Sequence, residues 1–562
     1  AAQVGWDGET VGAQLDQAKK LANYTALGNY TGTATRIELT QSGIAGPILR
    51  DPTVTVGDGG TTFLDGMGRG WRRIYDGAVY AKWFGAKVDG ASNDTSAVHA
   101  AIDSLAASGG GFIDIGPGTM MVSGITHKDK VYLLGSGKGV TTIKLIAGSN
   151  AHVIQGGDFD TNADGVVKAT PLGCRSAGIY NLTIDGNKTA QTQAKHGLAL
   201  YGIDLSIFGV EAKNCKGWGV YTESPGGTFS IVAGQNLQHS VTGIEAHHND
   251  LGNFFYNGQS DSNLSDIMCY ECGGDTEGQA NLKIGSKGTG VRLVGGHCWG
   301  VSAYGVINEA DCPEFSDFHV ESATVAKVWA KDKITWTGGH IYEAGTKTSA
   351  VGFKLDKDYN NIRGVRATNI RGGLLDTSAG GVAGNNSVVE VYGYTAAAGS
   401  ILSVGTIPTN SDIELRLFGL TVSSLFQRSQ KLTTLGGISS PGHITASGGL
   451  DMSSSGIDRA NYIAGQGWAA VAVVAGVLSV ATSFVVLNEA SPVNVTDILS
   501  TAGQLGILEL TIRNSGASAV TFAHNTAKLR NNSAANIVLS QHQSVKYTLV
   551  SGSIWQQTGG KV

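Results

Sequence analysis

Three short segments of this 562-residue chain repeat one pattern: GGHCWG (295–300), DFHVES (317–322) and GGHIYE (338–343), with His297, His319 and His340 spaced 22 and 21 residues apart. A period of that size restricts a chain to architectures that stack one supersecondary unit on the next. Alternate side chains of a strand point to opposite faces. Cys298, Val320 and Ile341 therefore face one way, while the histidines, Trp299, Glu321 and Tyr342 face the other. The apolar set belongs inside. The inward column extends back through Cys269, Ala233, Ala212 and Ile184 and forward to Ala367; a second column, Leu198, Val220, Ile244, Leu282, Val306, Val328 and Phe353, interleaves with it. Alternation through seven cycles of about 21–29 residues gives each cycle one strand in each of two parallel sheets. The predicted fold is all-β, a right-handed parallel β-helix with one rung per cycle.

Composition narrows the partners. Charged residues make up 15% of the chain, against about 25% in ordinary domains. The net charge is −5 and no run of Lys or Arg occurs, so nothing recommends nucleic acid or anionic membrane as the partner, and neither nucleic-acid binding nor membrane insertion is expected. The stretch 469–488 approaches the ~20 apolar residues of a spanning helix. Its Val, Thr and Ser content, Gly476 and the lack of flanking Lys or Arg predict two core strands instead of membrane insertion. Six scattered cysteines, with Cys269 and Cys272 the single C-x-x-C, read as free core thiols; neither a metal nor a cofactor is expected.

Residues 1–80 form a heterogeneous lead with a helix-like stretch from Val11 to Ala22, and residues 81–435 are the β-helix. Near its start Asn93, Asp94 and Thr95 offer N-cap oxygens, and Val98, Ala101, Ile102 and Leu105 share one helical face. Beyond 436 the period disappears, and short Val/Ile/Thr strands predict a C-terminal antiparallel β-sandwich over 436–562, for trimerisation or carbohydrate binding.

The text WFGAKVDGASNDTSAVHAAIDSLAASGGGFIDIGPGTMMVSG (83–124), NLTIDGN (181–187), HGLALYG (196–202) and the GGHCWG and FHVESA elements resembles the bacteriophage tailspike depolymerases with a pectate-lyase-like β-helix. The resemblance covers roughly residues 80–370. It implies a homotrimer on the phage tail, acting outside the bacterial cell on capsular polysaccharide, exopolysaccharide or O-antigen. It also implies attachment to the tail or baseplate through an N-terminal part that is missing or short here. Most members hydrolyse their polymer and some cleave it by β-elimination. Their catalytic carboxylates occur at different rungs in different members, so no position is carried over.

Glycoside hydrolysis requires two carboxyl groups flanking the bond, about 5–5.5 Å apart for retention and about 6.5–9.5 Å for inversion. With Val220 and Ile244 inward on successive rungs, Tyr221, Glu223, Glu245 and His247 face outward. Glu223 and Glu245 would then lie diagonally about 8 Å apart, in the inverting range. The step from Ile244 to Cys269 is about ten residues longer than its counterparts, which places an inserted loop at 247–266. That loop could deliver Asp261 as a third carboxylate, with Phe254 to Tyr256 as a desolvating wall. Trp218, Tyr221 and His247 complete this groove as sugar contacts. The rival groove uses Trp299, Glu321 and Tyr342 beside His297, with Tyr304 and Glu309 nearby; aromatic rings would stack on pyranose faces while Glu321 or Glu309 supplied a carboxylate. Asp185 and Asn187 read as strand-terminating turn residues. Endo-glycosidic hydrolysis is the leading expectation. A lyase on the same fold and a non-cleaving adhesin are the alternatives.

Overall fold

The repeat carries three inward positions per turn. In the computed structural model the described residues are 19–156, 159, 174–223, 238–258, 262–273, 279–300, 302–344, 350–370, 373–376 and 387–392, followed by separate strands and short segments between 413 and 559. Leu198, Val220, Phe254, Leu282, Val306, Val328 and Phe353 stand in register along one parallel sheet. Ile207, Val241, Leu264, Leu293, Phe315, Trp336 and Ile362 line a second face. Ile184, Ala212, Ala246, Cys269, Cys298, Val320, Ile341 and Ala367 line a third. All of these side chains are buried. A fully buried Leu, Ile or Phe contributes about 1.5–3 kcal/mol, so every rung adds its own share of the core.

The second and third faces meet at a corner one residue wide. Asn181, Gly209, Gly243, Asp266, Gly295, Asp317, Gly338 and Gly364 occupy it on eight successive rungs, all with φ between 51° and 72°. Only Gly, Asn and Asp enter this left-handed region at little cost, so the residue types at the corner follow from the bend. At Gly338 an added Cβ would meet the Asp317 carboxylate at 2.4 Å as well.

The expected parallel β-helix is therefore present, with two corrections to its register. Ala246, rather than Ala233, fills the third column, and Ala233 lies outside the described residues. Phe254, rather than Ile244, follows Val220. The long step consequently falls between Glu223 and the strand Ser240–Thr242, not over 247–266. Most of 247–266 is regular strand, Gly252–Asn257 and Asn263–Tyr270.

Inside the corner that precedes the first sheet, polar side chains form a closed chain. The Asn249 amide donates to Asn253 at 2.9 Å, Asn253 donates to Asn281 at 2.7 Å, and Asn281 donates to Ser302 at 3.2 Å. Asn253 and Asn281 also donate to the carbonyls of Tyr270 and Trp299. Buried polar groups persist only when so satisfied.

The helix Thr95–Ala107 buries Val98, Ala101, Ile102 and Leu105 as expected. Asn93 accepts from the Thr95 amide, whereas Asp94 turns back to accept from the amides of Lys87 and Val88. The helix expected over Val11–Ala22 is not formed in its described part, where Lys19–Leu21 is a strand; the helix is Tyr24–Gly28. Residues 19–73 build a five-stranded sheet around Leu27, Ile37, Leu39, Ile48, Phe63 and Trp71.

The chain divides into two compact units, the second comprising Gly442–Ala446 and Met452–Val562. Its sheets are mixed rather than antiparallel throughout: Phe484–Leu487 runs parallel to Glu509–Asn514, which runs antiparallel to Ser544–Ser551. The apolar stretch 469–488 contains four short strands, Ala469–Ala470, Val473–Val474, Val477–Val480 and Phe484–Leu487. Among the described residues no helix is long and apolar enough to cross a membrane.

Candidate active site

On the third face two outward columns run side by side. One reads Thr183, Glu211, Glu245, Met268, His297, His319, His340, Arg366; the other reads Asp185, Lys213, His247, Tyr270, Trp299, Glu321, Tyr342, Thr368. Alternation about the buried alanines puts them there: with Ala212 and Ala246 inward, both flanking residues on each strand must point out.

Glu211 and Glu245 are direct neighbours on adjacent rungs. Glu211 accepts from Thr183 Oγ1 at 2.6 Å and from Lys213 Nζ at 2.7 Å, and His247 Nε2 lies 3.0 Å away. The hydrogen bond from His247, with those from Lys213 and Thr183, outweighs burial and holds the Glu211 carboxyl at about 2, against an ordinary 4.5. This carboxylate stays charged through the whole working range. Glu245 is differently supplied: Tyr270 Oη donates to it at 3.0 Å, Lys138 stands 3.6 Å off, and its side chain is 31% exposed. Burial and the Glu245 carboxylate push the Tyr270 hydroxyl up, so it remains a donor. Behind the pair, His247 Nδ1 and His248 Nδ1 are 2.7 Å apart, and His248 reaches Glu271 at 2.8 Å.

Glu211, Glu245 and His247 each offer a ligand atom within 4.8 Å of the others. Two carboxylates and an imidazole suit a divalent cation. Lys213 already sits on Glu211, however, and supplies the positive charge that such an ion would bring.

The ring-bearing rungs continue from this cluster. His247 stacks on Tyr270 at 4.5 Å, and Tyr270 stacks on Trp299 at 4.3 Å. Farther along, His340 stacks on Tyr342 at 4.4 Å, while Tyr342 donates to Glu321. The predicted succession Trp299, Glu321, Tyr342 beside His297 is in register, but the rings spend their faces on one another. At strand spacings of about 4.8 Å only their edges and polar tips are left for a ligand. His297 Nε2 stands 3.4 Å from Glu321, and burial lowers the basicity of His297. Burial, then the Arg366 charge, takes His340 down to about 4.

Several candidates fall elsewhere. Glu223 is on the first sheet, level with Asn257, so the diagonal with Glu245 does not form. It is held by Lys287 at 2.6 Å, Tyr221 Oη at 3.1 Å and Asn257 at 3.3 Å. Asp261 lies outside the described residues. Glu309 follows the strand Tyr304–Asn308 on the first sheet, ion-paired with Lys283 and Lys331 and apart from the Trp299 row. Tyr304 and Trp218 are both 7% exposed: Tyr304 packs on Trp329, and Trp218 packs on Phe255, which removes them as open sugar platforms. Tyr221 stacks on His196 and meets Phe255 edge to face. Asp185 and Asn187 form the expected turn, the Asn187 amide donating to Asp185 at 2.8 Å. Glu211 and Tyr270 were missed, although VEA and MCY carried the alternation that exposes them; the slipped register of the rung between had hidden their partner.

Residues 78–300 match the family described as rhamnogalacturonase A/epimerase, pectate lyase-like. The chain is 32% identical over 207 residues to mannuronan C5-epimerase AlgE6 of Azotobacter vinelandii, covering 34% of this chain and 21% of that protein. It is 37% identical over 116 residues to alginate lyase 7 of the same organism, covering 19% of this chain and 12% of that protein. The chain thus spans about a fifth or less of these relatives. Among solved structures, the enzymatically active domain of bacteriophage CBA120 tailspike protein 2 aligns with a TM-score of 0.47 at 15% identity, over 73% of this chain and 59% of that one. Glu211, Glu245 and His247 all stand within the residues matched by this pectate-lyase-like family model.

Proposed function

We propose that this chain is a polysaccharide-cleaving enzyme of the tailspike kind, carried on a phage tail and acting on a bacterial surface polysaccharide, with Glu211 and Glu245 as its catalytic pair. The observation that carries the reading is the adjacency of two carboxylates whose oxygens approach within 4.8 Å and whose surroundings differ. The short separation favours a retaining course. Glu211, with three donors, is the permanent anion that attacks or stabilises the sugar cation; Glu245, more open and hydrogen-bonded by Tyr270, protonates the leaving oxygen. The edges of Tyr270, Trp299 and Tyr342 with His319 and Glu321 would guide the polymer along the helix axis. Trimerisation belongs to the same proposal and is read by sedimentation of the purified chain.

The first test is incubation with surface polysaccharides from a bacterial strain panel, reading polymer size, new reducing ends and ultraviolet absorbance together. Shorter chains, new reducing ends of retained anomeric configuration and no new absorbance support the proposal. Intact chains that stay bound would make the protein an adhesin.

A second reading is elimination or epimerisation at a uronate, the chemistry named in the relatives matched. Glu223 with Tyr221 and the Lys287 cation offers an acid–base pair and a counter-charge for it on the first sheet. An unsaturated-uronate absorbance in the same assay would move the chemistry there.

A further inference from the structure

Between the five-stranded sheet of residues 19–73 and the turn Ala81–Phe84 lies a cleft of about 470 Å³, within the size range of small-ligand sites. Arg73 holds its walls. This guanidinium, 3% exposed, donates to the carbonyls of Ile44 and Gly60 and to Tyr24 Oη at 2.7 Å, and lies 4.3 Å over the Trp83 ring. Four segments are thereby pinned by one satisfied cation, so the cleft is preformed and its ligand need not order it.

Its lining is polar and carries a positive balance. Thr25, Gln41 and Ser42 offer hydroxyl and amide groups, Trp83 offers apolar surface, and Lys82 and Lys87 offer two ammonium groups. Among the described residues no acidic side chain lines it. Among the described residues neither lysine has an ion-pair partner, in contrast to Lys213, Lys283 and Lys287 on the β-helix faces. Unpaired cations beside several neutral hydrogen-bonding groups match a polyhydroxylated ligand that carries a carboxylate.

We propose that this cleft is a second, non-catalytic binding site for acidic oligosaccharide, with Lys82 and Lys87 on the carboxylate and Gln41, Ser42 and Thr25 on hydroxyls. It is independent of the Glu211 site.

The test uses the full chain and diazirine-bearing acidic trisaccharides (uronate and sialate), with cross-links located by mass spectrometry. The expected result is adducts within residues 23–25, 41–44 or 82–87 that unlabelled acidic trisaccharide competes away and its carboxyl-reduced counterpart does not. They fall at least tenfold in Lys82→Ala/Lys87→Ala and in Ser42→Trp, which plugs the cleft, and persist in Glu211→Gln. Absence of adducts there, equal competition by inorganic phosphate or by the reduced sugar, or unchanged labelling in both cleft variants of native circular dichroism would each overturn the proposal.

Discussion

Replacing Glu211 by Gln keeps the shape of the side chain and removes the charge that Lys213 and His247 face. The fall from an ordinary 4.5 to about 2 corresponds to about 3 kcal/mol of preference for the charged form in the folded protein. Solvent reaches the outer rim of this cluster, where the Lys213 side chain is 29% exposed. We therefore expect about 2 kcal/mol of lost stability at pH 7. A depressed carboxyl stabilises fully above its unfolded value and loses that contribution as pH falls through its folded value. The difference between wild type and Glu211→Gln should thus hold from pH 7 down to about 4.5, shrink between 4.5 and 2, and vanish below. Urea unfolding of both proteins followed by tryptophan fluorescence at pH 7, 4.5 and 2.5 measures it, from midpoints at a shared slope. Equal midpoints at pH 7, or a gap undiminished at pH 2.5, would refute the reasoning.

Three further outcomes are expected. Tyr270→Phe removes the donor to Glu245 and should lower kcat about 10²-fold while polymer binding, read by co-sedimentation, stays within twofold. Glu223→Gln should leave cleavage intact and cost under about 1 kcal/mol, because Lys287 is 35% exposed; abolished cleavage would transfer catalysis to the first sheet. Lys327 and Glu343, each 1% exposed and paired in the core, should show strong non-additivity in a thermal-unfolding cycle. Lys327→Met alone should cost about 3–5 kcal/mol by stranding Glu343, and Lys327→Met/Glu343→Leu should recover most of it.

The inward column from Cys269 to Ala367 was legible because large and small apolar residues recur there at intervals of 21–29 residues, and the structure keeps that register. Farther back the pattern slipped. Ala233 and Ala246 read alike, as do Ile244 and Phe254, so one extended connection after Glu223 shifted both columns without breaking their alternation. The column of the second face, Ile207 to Ile362, was hidden for a different reason: the corner that joins it to the third face is a single Gly, Asn or Asp, which in sequence looks like any surface residue of a strand. The histidine and aromatic row was legible from alternation alone. That its rings would consume one another's faces was not, since this depends on strand spacing rather than residue type. The carboxylate pair depended on register, so the slip that misplaced Ile244 also paired Glu245 with Glu223 instead of Glu211.

The one-residue corner between the second and third faces divides the molecule into a conserving edge and a permissive one. An extra residue there would rotate every following side chain of its strand to the opposite face, moving Ala212 or Ala246 out and Glu211 or Glu245 in. Connections that leave the first sheet differ in length within this one chain, from the two residues 204–205 to the sixteen residues 224–239. A lineage of such chains can therefore exchange what it recognises by trading loops along the permissive edge, while the spacing of its paired carboxylates is inherited unchanged from the width of a single bend.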